Sequence, residues 1–217
     1  MTIAVKQFPN PPVHMKLLAG QTVNQFGYDQ ISNVEYTFNS LGYRSNIEFL
    51  PNDRSVILLG NTISFGVGLP IEETFAGIIS SSIDTPLYNF SWGCYPHTNH
   101  DQLKLLENIL KLITPRCVLF QLNNLNRLRL DEINVSFDNP KEQVEANYVD
   151  FRLKLDQVLG NVPCHLMLWD DCEYDCDYSN ILIHNRYFVD ENVVSKDLFG
   201  VKSHQLIAMK LLQELKI

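Results

Sequence analysis

No stretch of about 18 consecutive apolar residues occurs in the 217-residue chain, so no membrane-spanning helix is expected. The opening segment, MTIAVKQFPNPPVHMK, has no apolar core of signal-peptide length, which points to a soluble, cytoplasmic protein. Basic residues are few and scattered. Seventeen Lys and Arg stand against 25 Asp and Glu, for a net charge of −8, and no cluster could neutralise a run of phosphates. Nucleic acid and anionic membranes are therefore poor partners. Cysteine is sparse and odd in number: five, at Cys94, Cys117, Cys164, Cys172 and Cys176, two of them inside apolar runs that read as buried strands. A disulfide framework is not expected, and a reducing compartment fits. Internal repeats and low-complexity tracts are absent as well.

What is present is a globular balance, with 45% apolar and 19% charged residues over a length that suits a single domain, 1–217. Residues 1–50 carry Pro9, Pro11 and Pro12 and little periodicity, and read as an irregular arm with short extended pieces. From Ser55 the pattern changes. Short runs rich in branched and aromatic side chains at 55–60 (SVILLG), 86–90 (PLYNF), 116–122 (RCVLFQL) and 164–169 (CHLMLW) read as strands buried on both faces. Between them helical spacing appears over Glu72 to Ile83, Asp101 to Ile113, Lys141 to Leu159 and Ser203 to Leu215, the last with Ser203 as a plausible N-cap. Strands alternating with helices imply a parallel sheet with helices on both faces. In such sheets ligands lie beyond the carboxyl ends of the strands, which directs attention to the loops Asn61 to Leu69, Ser91 to His100, Asn123 to Asn134 and Asp170 to Lys202.

The first of these loops follows the run Ser55 to Gly60 and reads Gly60, Asn61, Thr62, Ile63, Ser64, Phe65, Gly66. A buried strand that ends in glycine and a small polar pair is how a reactive side chain is handed to a cleft. The stretch resembles the nucleophile block G-D-S-x-x-x-G of the SGNH (GDSL) ester hydrolases. Further blocks follow in order. NFSWGCYPH resembles the second block through Gly93, and FQLNNLNR resembles the G-x-N-D block with Asn123 and Asn124, Gln121 standing at the glycine. Near the C-terminus KDLFGVKSHQLIA supplies Asp197 and His204, although the histidine expected three residues after the aspartate is missing and His204 aligns with a second histidine that opens the last helix. Upstream, Asn39 to Arg44 (NSLGYR) matches a segment found before the nucleophile strand in some members, and Tyr43 and Arg44 are expected near the cleft.

The resemblance implies an α/β fold, a three-layer α/β/α sandwich with a flavodoxin-like sheet. It also implies an esterase or O-acyl hydrolase acting on a small-molecule or carbohydrate ester without a cofactor. On that reading Thr62 is the nucleophile, Asp197 and His204 form the acid and base pair, and Gly93, Asn123, Asn124 and Asn61 line the oxyanion and substrate side. Ester hydrolysis by a hydroxyl needs those three elements together. The alternative is a catalytically silent protein of the same fold that binds a carbohydrate or acyl ligand or serves as an interaction module.

Plainer readings stand beside each of these. Thr62 can simply cap the strand-to-helix turn, and its extra methyl stiffens the rotamer and crowds the line of attack. His204 can be a helix-start histidine bonded locally, and His184 a surface histidine. His97 and His100, three residues apart, fit a polar loop better than a chelate. The acidic run at 169–180, with Asp171, Glu173, Asp175 and Asp177, lacks the glycine and bidentate glutamate of a calcium loop and reads as a solvated loop. No metal is expected.

Overall fold

A computed structural model describes residues 17–26, 33–50, 54–93, 97–123, 128–129, 135–136, 141–168, 181–184 and 200–215. The main sheet has five parallel strands: β3 (Val56–Leu59), β4 (Leu87–Asn89), β5 (Cys117–Gln121), β8 (Cys164–Met167) and β9 (Ile181–His184), in the order β4-β3-β5-β8-β9. Counting only these five, the order is 2-1-3-4-5, that of the flavodoxin-like doubly wound sheet. An antiparallel hairpin, β1 (Thr22–Phe26) and β2 (Asn33–Thr37), precedes it, and a two-residue pair, β6 (Leu128–Arg129) and β7 (Val135–Ser136), follows β5.

The uninterrupted apolar runs have a simple cause: successive side chains of a strand point to opposite faces, and here both faces are covered. Ile57, Leu59, Val118, Phe120 and Leu166 enter one core with α3 (Asn99–Leu110) and α4 (Lys141–Leu159). Val56, Leu58, Cys117, Leu119 and Met167 enter the other with α2 (Phe75–Ser82) and α5 (Val201–Leu215). Three α/β/α layers result. Each helix docks through its apolar face: Leu103, Leu106 and Ile109 of α3, and Val144, Tyr148, Phe151 and Leu155 of α4, are buried, and Leu110 and Val158 pack half-buried beside them.

Several boundaries differ from the sequence reading, each for a local reason. The expected helix from Glu72 is two elements, a 3-10 turn at Ile71–Glu73 and then α2, because Thr74 turns extended to cap α2 through a bond from the Gly77 N–H to its hydroxyl, 3.0 Å. The last helix begins at Val201, so Ser203 is a buried residue inside α5 and not its N-cap. Strand β9 lies within the expected loop Asp170 to Lys202. Part of the arm forms the hairpin, and Val34 and Tyr36 of β2, with Phe38 just beyond it, join the first core. Among the described residues, no helix is long and apolar enough to cross a membrane. The acidic run at 169–180 lies outside them.

Candidate functional site

At the carboxyl edge of the sheet, β3 runs through Gly60 and Asn61 into α1 (Thr62–Phe65), a single helical turn. Gly60 is sterically required: a Cβ there would lie 2.4 Å from the Ser64 hydroxyl and 2.9 Å from the Gln121 Cβ. Its carbonyl accepts from the Gln102 side-chain amide at 3.0 Å and from the Trp92 N–H at 3.1 Å. Asn61 caps the turn, its side-chain oxygen accepting from the Ile63 N–H at 3.0 Å. Thr62 is the first helical residue, so its own N–H belongs to those with no intrahelical acceptor. Two residues on, Ser64 donates through both its N–H, at 3.0 Å, and its hydroxyl to the Gln121 side-chain oxygen. The glutamine at the place where the resembled block has glycine is therefore a second external cap on this turn.

The half-buried Thr62 hydroxyl donates to the Gly93 carbonyl at 2.9 Å. Gly93 in turn lies flat on Phe65: a Cβ would stand 2.8 Å from the ring. Thr62, Asn61 and Gly93 are thus brought together. On the neighbouring strand, Asn123 follows β5 and is tied to the start of α3, its N–H donating to the Asn99 side-chain oxygen at 2.7 Å and its amide nitrogen to the His97 carbonyl at 3.4 Å. The Asn123 side-chain oxygen is buried with no partner among the described residues. Asn124 and Asp197 lie outside the described residues.

The structure does not bring His204 to Thr62. The imidazole is 1% exposed on α5, and its Nδ1 accepts the Phe75 N–H at 2.9 Å while the ring stacks on Phe75, centroids 5.6 Å apart. Phe75 opens α2, so its N–H is one of the orphan donors of a helix start, and His204 supplies a cap from a different helix. An Nδ1 that accepts fixes the neutral tautomer with the proton on Nε2. Burial pushes the group down to about 3, with the nearby positive charge of Arg44 adding to the effect. It is uncharged at neutral pH. Among the described residues no imidazole bonds the Thr62 hydroxyl.

The other histidines take separate posts. His97 is buried with its ring edge-on to Trp92. His100 binds Asp150 at 2.9 Å, joining α3 to α4, and that carboxyl is held below its ordinary range by Lys154 and then by His100. No group of three His, Cys, Asp or Glu among the described residues could hold a metal ion. His184 ends β9, which β5 and β8 separate from β3. Tyr43 packs edge-on against Phe90 in the core, and Arg44 reaches the loop that follows Thr62. Gln102 and Asn99 were not singled out from sequence. The available signal was a polar side chain within the apolar pattern of α3, where both are fully buried.

No family model and no curated protein matches the sequence. Solved structures with the same fold do. A carbohydrate esterase family 2 enzyme with a carbohydrate binding domain from Corynascus thermopiles (Myceliophthora fergusii) superposes with TM-score 0.50 at 10% identity, over 79% of this chain and 69% of that one. An acetyl xylan esterase from the rumen bacterium Butyrivibrio proteoclasticus gives 0.50 at 12% identity, over 79% and 65%. A family two carbohydrate esterase from Clostridium thermocellum, in complex with cellohexaose, gives 0.51 at 10% identity, over 78% and 66%. The chain spans about two thirds of the length of these enzymes, and what it shares with them is the SGNH-hydrolase-type fold.

Proposed function

We propose that this chain is an esterase-like protein of SGNH type whose cleft takes an ester or O-acyl group on a carbohydrate or other small molecule. Thr62 is the acyl acceptor, and Gly93, Asn123, Asn124 and Asn61 line the side where an oxyanion develops. The observation that carries the reading is the position of the Thr62 hydroxyl, half-buried on the first turn after β3 and 2.9 Å from the Gly93 carbonyl. Asp197 remains the candidate carboxylate. His204 has no part in the chemistry while it holds the Phe75 N–H. On this reading turnover is slow, because loss of the base costs orders of magnitude in rate even where the oxyanion side is intact.

A second reading is favoured by the same two bonds. With the Thr62 proton on Gly93 and the His204 lone pair on Phe75, the cleft recognises an acylated carbohydrate without cleaving it. Hydrolysis of 4-nitrophenyl acetate and of an acetylated xylo-oligosaccharide, measured for the native chain and Thr62→Val with calorimetric binding of the oligosaccharide, separates the two. Slow turnover lost in Thr62→Val supports the first. Binding without turnover supports the second, and equal hydrolysis by both proteins refutes a nucleophilic Thr62.

A further inference from the structure

The segment Asn39 to Arg44 has no place in the chemistry described above, yet it is built around the turn that carries Thr62. The Asn39 side-chain oxygen accepts from the N–H groups of Leu41 and Tyr43, at 3.1 and 3.0 Å, and Gly42 adopts φ 87°. Tyr43 is anchored in the core, which aims Arg44 beneath the loop 65–69. There one guanidinium nitrogen donates to the Phe65 carbonyl at 2.9 Å and to that of Gly66, and the other donates to the Leu69 carbonyl at 2.5 Å. The guanidinium carbon lies 3.9 Å from the centre of the Tyr36 ring, and the Tyr36 hydroxyl accepts from the Gly68 N–H at 2.6 Å. Arg44 is 2% exposed and no described carboxylate pairs with it, so three carbonyl dipoles and a ring face stand in for water around its charge.

We propose that Arg44 is a positioning residue for Thr62, holding from the N-terminal arm the turn on which that hydroxyl sits. A four-residue helix cannot hold its own shape, because nucleation costs more than one turn returns. Its ends are fixed from outside: Asn61 and Gln121 at the start, Arg44 at the finish. The coupling runs through the backbone. The Gly66 N–H bonds the carbonyls of Thr62 and Ile63 at 3.0 and 2.8 Å, and the Val67 N–H bonds the Thr62 carbonyl at 3.2 Å. Gly66 joins the two sets of bonds: Arg44 grips its carbonyl, and its N–H holds the Thr62 carbonyl. A planar fork reaches all three carbonyls together, and a lysine ammonium does not. The loop is shaped to admit it: Gly66 has φ 76°, and a Cβ there would lie 3.1 Å from the guanidinium and 2.2 Å from Thr74.

The catalytic arm of the test rests on Thr62 as acyl acceptor, and the other arm does not. In a Thr62→Cys background, alkylation by iodoacetamide of the thiol introduced at position 62 is followed peptide by peptide with Arg44 native, Arg44→Lys and Arg44→Met. Ester kcat and KM are measured with Thr62 native in the same three forms. Alkylation at 62 is expected to accelerate about tenfold in Arg44→Met, the change in local opening worth one charged hydrogen bond, and by less in Arg44→Lys. The buried Cys117 and Cys164 stay protected, and kcat falls while KM holds. An unchanged rate at 62, or exposure of Cys117 and Cys164 in step with it, would overturn the proposal. If Arg44→Met does not fold, Arg44→Lys decides by the same criterion. Absence of ester turnover in the native chain removes the acyl-acceptor reading and leaves the alkylation result to judge Arg44.

Discussion

A histidine buried neutral against a helix start makes stability depend on pH in a calculable way. His204 lies at about 3 in the folded protein, mainly through burial, against an ordinary value of about 6.5. The unfolded chain therefore binds a proton that the folded chain refuses. The stabilisation is complete above pH 6.5 and is lost as pH falls towards 3, at about 1.4 kcal/mol per pH unit. Between pH 7 and pH 5 this single group accounts for about 2 kcal/mol, a large part of the stability of an ordinary domain. The comparison is His204→Asn, whose side-chain oxygen can occupy the place of Nδ1 and keep an acceptor for the Phe75 N–H but cannot titrate. Urea unfolding at pH 7, 6 and 5 gives the free energies. The native curve should fall by about 2 kcal/mol more than the variant's over that range. His165, whose burial also lowers it, is common to both proteins and cancels in the difference. Parallel curves would show that His204 titrates freely, and the structural role given to it here would fail.

Two further substitutions test how the elements are fixed. Gly77→Ala in α2, ordinarily a gain for a helix, should be destabilising by more than 1 kcal/mol, because the Cβ would meet the Ile71 carbonyl oxygen at 1.9 Å; thermal unfolding gives the sign directly. Thr98→Ala removes the side-chain half of the capping box at the start of α3, the hydroxyl that accepts from the Asp101 N–H, while the backbone N–H of residue 98 can still donate to the Asp101 carboxylate; it should cost about 1 kcal/mol in urea unfolding.

Much of the fold was legible because burial on both faces leaves a plain trace. A run such as CVLFQ, apolar without alternation, can only be a strand covered on both sides or a short buried helix, and the turn residues around it decide for the strand. The 19 residues of α4 were readable to the residue from their stripe. β9 was hidden because ILIH sits between acidic and polar stretches where no periodicity can establish itself. The 3-10 turn before α2 was hidden for a different reason. Glu72, Glu73 and Thr74 suit a helix start, and only the capping of α2 by Thr74 places the break.

For the site, the chain order of Thr62, Gly93 and Asn123 at three consecutive strand ends could be read from the blocks, since topology puts the ends of β3, β4 and β5 at one edge. The sequence by itself determined the alternation of strand and helix, the faces each element buries, and which polar residues the loops carry. The direction of each side chain was decided only by the tertiary structure. A histidine looks the same in a string whether it faces a hydroxyl or a helix start, and His204 faces Phe75 because α5 packs on α2. Arg44 holds a loop more than 20 residues away because the hairpin closes over the first core. Hydrogen bonds are short and directional, so they register the packing of whole layers, which no local pattern in the chain can encode.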